Sequence, residues 1–211
     1  MLEDAIGYPW DDGDGLRGLF IGTVLSLLSF LVIPVVFLGG YFVQVLDETL
    51  KGEDGVLEWS NYDVLLIDGL RALVVTFGYG GVISGLFVGA VLLVIGGIPG
   101  NIGDALLVGV ILFIGTVVFF LFLLLAVIVP AALLIMVDRD SVLAAFNVVA
   151  VLRLVVSPRY LVGWLVAMLI LFIASILAPI TSPTVVGPPA VSYYALVSSA
   201  RAYALGARDV L

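Results

Sequence analysis

Cysteine and histidine are both absent from this 211-residue chain, lysine occurs once, at Lys51, and charged residues make up only 11% of the whole. Without thiols or imidazoles there is no cysteine nucleophile, no disulfide, no histidine base and none of the commonest zinc ligands. So few bases, set among acidic loops, give no patch for a phosphate backbone, and nucleic acid is not an expected partner. What fills the chain instead is apolar: hydrophobic residues account for 63%. A single soluble core could not hide that much greasy surface.

A bilayer can. Crossing about 30 Å of hydrocarbon takes roughly 20 apolar residues, and the windows 19–43, 72–95, 105–129 and 160–178 meet or approach that length. A fifth window, 190–205, is less apolar and carries Ser192, Ser198, Ser199 and Arg201. Small and hydroxyl residues suit contact with other helices better than contact with lipid. Residues 141–156 read as an amphipathic helix at the membrane surface, with Asp140 as its N-cap and Asn147 and Arg153 as polar marks. The expected fold is therefore an all-α integral membrane protein of about five transmembrane helices plus one interfacial helix. It forms one polytopic domain over 19–206, between an acidic interfacial tail at 1–18 and a short tail at 207–211. The acidic start, Met1-Leu2-Glu3-Asp4, is no basic leader, so the first window is expected to be retained.

Prolines punctuate this pattern. Pro34 interrupts the first window and predicts a kink, or a re-entrant hairpin if the break is complete; Pro130 predicts a second kink. Trp10, Trp59, Tyr62, Arg71, Arg159, Tyr160 and Arg201 fall near window ends and are expected to anchor at headgroup level. Seven of the eight bases lie on one side if the later windows alternate, which puts the C-terminus in the cytoplasm of a multi-pass cell-membrane protein. Arg17 dissents unless the first window is a hairpin. Sixteen acids against eight bases, a formal charge of −8, suit surroundings rich in salt.

Chemistry-bearing patterns are few. Thr76-Phe77-Gly78-Tyr79-Gly80 looks like a potassium-channel filter, yet the sequence runs on apolar after it, and Gly78, Gly81, Gly85 and Gly89 read better as a small-residue packing stripe. Asp138 and Asp140 flank Arg139 and could hold a divalent ion, although paired acids at a helix start more commonly serve as cap and dipole complement. The window interiors hold no charge, where one would cost roughly 2.5 to 3.5 kcal/mol. Arg201, near the end of the fifth window, has Asp138 as a conceivable partner. The tetrapeptide Asp-Gly-Leu-Arg occurs at 14–17 and again at 68–71, each time ahead of an apolar run. Neither catalysis nor a cofactor is expected. Membrane lipid, a membrane-protein partner or a second copy of the chain are the expected associates, with a small oligomeric channel or permease as the alternative.

The order of marks resembles a known family. Tyr8-Pro9 comes first, then Gly40-Tyr41 with Val43 and Val45-Leu46, an acidic aromatic loop, and Asp68-Gly69-Leu70. Pro130, Ala145-Phe146, the Ser157 to Tyr160 break and a Tyr193-Tyr194 helix ending at Gly206 follow. This is similar to the haloarchaeal membrane family catalogued as domain of unknown function 4013. Gln44, Asp47 and Glu48 stand where that family carries bases, and Trp59-Ser60-Asn61-Tyr62-Asp63 replaces its proline-led loop. The resemblance implies architecture and a haloarchaeal source, without chemistry or site residues.

Overall fold

The computed structural model describes residues 2–8, 15–53, 57, 59, 61–96 and 104–211, and the side chains of all of these except 15–16, 93–96 and 104–107. Trp10, Asp11, Asp12, Asp14 and the turn at 97–101 lie outside the described residues. Among the described residues every regular element is helical: α1 Leu2–Gly7, α2 Gly15–Leu27, α3 Val32–Lys51, α4 Tyr62–Gly96, α5 Asp104–Asp138, α6 Val142–Ala145, α7 Val148–Val155, α8 Pro158–Ile180 and α9 Gly187–Ala207. Segments of α3, α4, α5 and α8 are long and apolar enough to cross a membrane. The less apolar α9 is not among them.

The first apolar window is two helices, with the interruption at residues 28–31. Pro34 explains it from a distance: continuing the helix would drive the proline ring into the carbonyl of Phe30 and leave that carbonyl without its donor. The break therefore falls upstream, and Pro34 sits in the first turn of α3, where its missing N–H would have had no partner. It starts a new helix, so the break is complete, the alternative to the expected kink.

Neighbouring contacts give the direction of each piece. Gly22 of α2 packs under the Tyr193 ring, while Ser26 and Ser29 line one groove with Pro188 and Pro189, so α2 runs antiparallel to α9. Tyr41 lies beside Tyr193 and Thr49 beside Arg201, so α3 runs parallel to α9. It follows that α2 and α3 form a hairpin. At 13 residues, α2 is about 20 Å long at about 1.5 Å per residue, too short to cross alone. This hairpin brings Arg17 to the end of the bundle that holds every other base. Among the described side chains none at the opposite end is charged.

Close backbone approach holds the body together. A methyl group on Gly40 would overlap the Leu65 carbonyl, and one on Gly69 the Val36 carbonyl, so α3 and α4 touch main chain to main chain. On the other side a Cβ on Gly163 would lie 2.6 Å from the Ala202 carbonyl, and one on Gly206 2.9 Å from the Gly163 Cα, sealing α8 against α9. Such contacts replace the hydrophobic drive that is missing between helices in lipid. They make α9 the centre of the bundle, with Ser198, Ser199 and Arg201 all buried along with its alanines.

Pro130 lies inside α5 and deprives the Ala126 carbonyl of its donor. Trp164 Nε1 of α8 donates to that carbonyl at 2.9 Å, and the Tyr160 hydroxyl donates to the adjacent Val127 carbonyl at 2.7 Å. Tyr160 is consequently fully buried, a proline cap where an interfacial anchor was expected. The expected helix 141–156 is two short ones: the Asn147 side chain accepts from the Ala150 N–H and caps α7. The N-cap of α6 is Ser141, displacing Asp140, whose backbone turns left-handed at φ 43°.

Beyond the body, α4 and α5 run on as a two-helix arm. Each has 35 residues, about 52 Å at about 1.5 Å per residue, against about 30 Å of hydrocarbon, so both must tilt steeply if their apolar lengths are to be covered. Leu86 is 71% and Phe122 73% exposed, as befits side chains that face lipid.

Candidate functional site

Two features could bind something: the basic end of the bundle, and the grooves that the α2–α3 hairpin opens beside it.

At the basic end Arg201 projects from α9 into a pocket of rings. Its Nη1 donates to Thr49 Oγ1 at 3.3 Å and to the Glu53 carbonyl at 2.8 Å, and its guanidinium sits 4.6 Å from the centre of the Tyr8 ring. Only 5% of Arg201 is exposed, so the expected surface anchor is an internal clamp. The Tyr8 hydroxyl accepts from the Leu57 N–H at 3.3 Å, while the Tyr41 hydroxyl donates to the Leu57 carbonyl at 3.1 Å. Burial pushes the Tyr8 hydroxyl up to about 12, keeping it neutral beside the cation. Trp59, also expected as an anchor, stacks flat on Tyr41 with ring centres 4.5 Å apart. This cluster ties α1, the end of α3, the loop after it and α9 into one block.

Around it several other charges pair off. Asp140 meets Arg71 at 3.0 Å, and Arg71 also reaches Asp68 at 3.4 Å. Arg159, exposed as expected, meets Asp209 at 2.9 Å. Asp138 lies in a different cleft, with Arg139 and Arg153, so Asp138 and Asp140 are not brought together and Asp138 is remote from the Arg201 clamp. Among the described residues no three acids are grouped so as to hold a metal ion. Tyr62 is half exposed at the start of α4, and its ring meets Phe37 edge-on.

The second feature is concave and apolar. One groove of about 500 Å³ lies between α2, α8 and α9, walled by Leu19, Thr23, Ile173, Leu177, Ala190 and Tyr194. Another, of about 610 Å³, lies between the hairpin, α4, α5 and α9, where Ser26, Ser29, Thr76 and Ser192 add hydroxyls to an otherwise apolar wall. The hydroxyl of Tyr194 donates to the Ile6 carbonyl, so α1 closes one end of the first groove.

The filter-like segment 76–80 is continuous helix within α4. Its carbonyls belong to the helical ladder and do not converge on an ion. Within the glycine stripe, Gly78 packs against the Phe146 ring, and Tyr79 donates to the Ala145 carbonyl at 2.7 Å. A Cβ on Gly81, Gly85 or Gly89 would meet nothing within 4 Å, whereas Ile83, Ser84 and Phe87 on another face of α4 line a small cleft with α5. The two Asp-Gly-Leu-Arg copies also differ in place: the second lies inside α4 with its glycine pressed on α3, whereas the first leads into α2 and its Asp14 lies outside the described residues.

No curated protein and no solved structure matches the chain. A family model described as protein of unknown function (DUF4013) matches residues 24–182, from within α2 to the turn after α8. With most of its length covered, the chain belongs to that family.

Proposed function

We propose that this is a non-catalytic, multi-pass membrane protein of a halophilic archaeon that binds membrane lipid in the grooves beside its re-entrant hairpin. The observation that carries the reading is the groove between α2, α8 and α9, with its almost wholly apolar walls. A concave apolar surface inside a bilayer takes up hydrocarbon chains more readily than water or solutes. Replacing Ala190 by Trp would fill this groove. Lipid retained after mild delipidation, counted by native mass spectrometry, is expected to fall in Ala190→Trp relative to the wild type. Equal retention would refute the reading.

A second reading, a scaffold that docks a partner helix or another copy, is favoured by the open face of Gly81, Gly85 and Gly89. Small residues permit close helix approach, and lipid has no need of them. The excess of acids supports the salt-rich setting, and the gathering of all bases at one end supports a cytoplasmic position for that end and for the C-terminus. Single-cysteine variants of this cysteine-free chain test both ideas. Gly85→Cys is expected to form a disulfide-linked dimer in oxidised membranes if the partner is a second copy. Asp209→Cys is expected to react with an impermeant maleimide only after cells are opened, and labelling of intact cells would reverse the orientation.

A further inference from the structure

Among the described residues Arg139 and Arg153 form no ion pair, as is also true of Arg17 and Arg208, but only the first two share a cleft. Lys51 pairs with Asp47, Arg71 with Asp68 and Asp140, and Arg159 with Asp209, while Arg201 is clamped inside the bundle. The left-handed turn at Asp140 swings that carboxylate over to Arg71, so it does not neutralise its neighbour Arg139. Arg153 comes from α7, which buries Val151 and Leu154. Both arginines are exposed, neither forms an ion pair among the described residues, and both line one cleft of about 180 Å³ with Ile135, Leu154, Leu211 and Asp138. Two guanidinium groups thus share the cleft with one side-chain carboxylate, that of Asp138, over an apolar floor.

The cleft's surroundings say what would fill it. It lies where α5 emerges from its apolar run, and the neighbouring surface of α7 is itself greasy: Val149 is 68% and Val156 70% exposed. A charged notch bordered by exposed aliphatic side chains matches an amphiphile whose head is anionic and whose chains lie alongside. Guanidinium forks fit phosphate oxygens bidentately, and basic pockets beside membrane helices hold anionic lipid headgroups. We propose that the cleft between the end of α5, α7 and the C-terminal turn binds the phosphate headgroup of an anionic phospholipid through Arg139 and Arg153. The site is separate from the grooves beside the hairpin, and it stands or falls independently of them.

The test uses the full chain in nanodiscs of phosphatidylcholine with a minor share of phosphatidylglycerol, scored by the phosphatidylglycerol that stays bound in native mass spectrometry. The wild type is expected to retain it preferentially. Preference should fall about fivefold for each arginine removed in Arg139→Gln and Arg153→Gln, stay unchanged in Arg159→Gln, and rise in Asp138→Asn, which removes the opposing carboxylate. The Asp138 arm guards against a loss caused merely by misfolding. Absence of any preference, or its survival in the double glutamine variant, would overturn the proposal. Displacement of phosphatidylglycerol by millimolar inorganic phosphate would overturn the lipid assignment in favour of a free-anion site.

Discussion

Gly40→Ala is expected to lower stability by about 3 kcal/mol, at the upper end of the cost of overpacking. The added methyl would overlap the Leu65 carbonyl. Because the obstacle is main chain, no rotamer change can relieve it. The two helices must part, and with them go the contacts that Gly69 makes on Val36. Gly69→Ala should behave alike, being the reciprocal half of the same crossing. Gly85→Ala is the internal control: a Cβ there meets nothing within 4 Å, and a change within about 0.5 kcal/mol is expected. Thermal unfolding of the three variants in one detergent separates the cases. A Gly40→Ala protein as stable as the wild type would mean that α3 and α4 do not approach so closely.

Arg201→Met should be nearly as damaging, with a loss of about 3 kcal/mol from hydrogen bonds to a charged donor and a Tm lower by about 8 °C. Methionine fills much of the same volume, but it cannot donate to Thr49 or to the Glu53 carbonyl, and it removes the cation from the Tyr8 ring. The Glu53 carbonyl and Thr49 hydroxyl would both lose their guanidinium donor. The effect should also be local before it is global. Hydrogen exchange is expected to quicken at residues 2–8 and around Glu53 and Leu57, while α8 keeps its protection. Arg201→Lys should recover part of the loss, since one ammonium cannot reproduce the planar fork. Unchanged exchange in the N-terminal segment would show that the clamp does not hold it.

These two sites mark where sequence reading reaches its limit. Apolar length alone revealed the membrane class, because crossing hydrocarbon demands a run that no other requirement produces. Pro34 correctly pointed to a broken first window, yet its steric effect falls on the residues before it, and the break moved accordingly. Arg201, Trp59 and Tyr160 were read as headgroup anchors because each lies close to a window end. Depth along a helix can be judged from spacing; what lies across from it cannot. The carbonyls that Arg201 and Tyr160 satisfy belong to Glu53 and Val127, far away in the chain. Pro130 held the one usable clue, since a proline in a membrane helix frees a carbonyl that some donor must reach. Nothing local names Trp164 as that donor. The glycines of α4 looked equivalent in the sequence because their spacing is regular, but only the approach of Phe146 sets Gly78 apart from the others.

The dependence of α5 on α8 has a temporal side. During synthesis α5 leaves the ribosome before α8 exists, so the Ala126 carbonyl enters the bilayer ahead of Trp164. Until that side chain arrives, water or the translocation machinery must shelter the bare oxygen. Packing around Pro130 is therefore expected to complete only once α8 has been made, and a nascent chain stopped before the eighth helix is expected to leave the Ala126 carbonyl without its tryptophan donor.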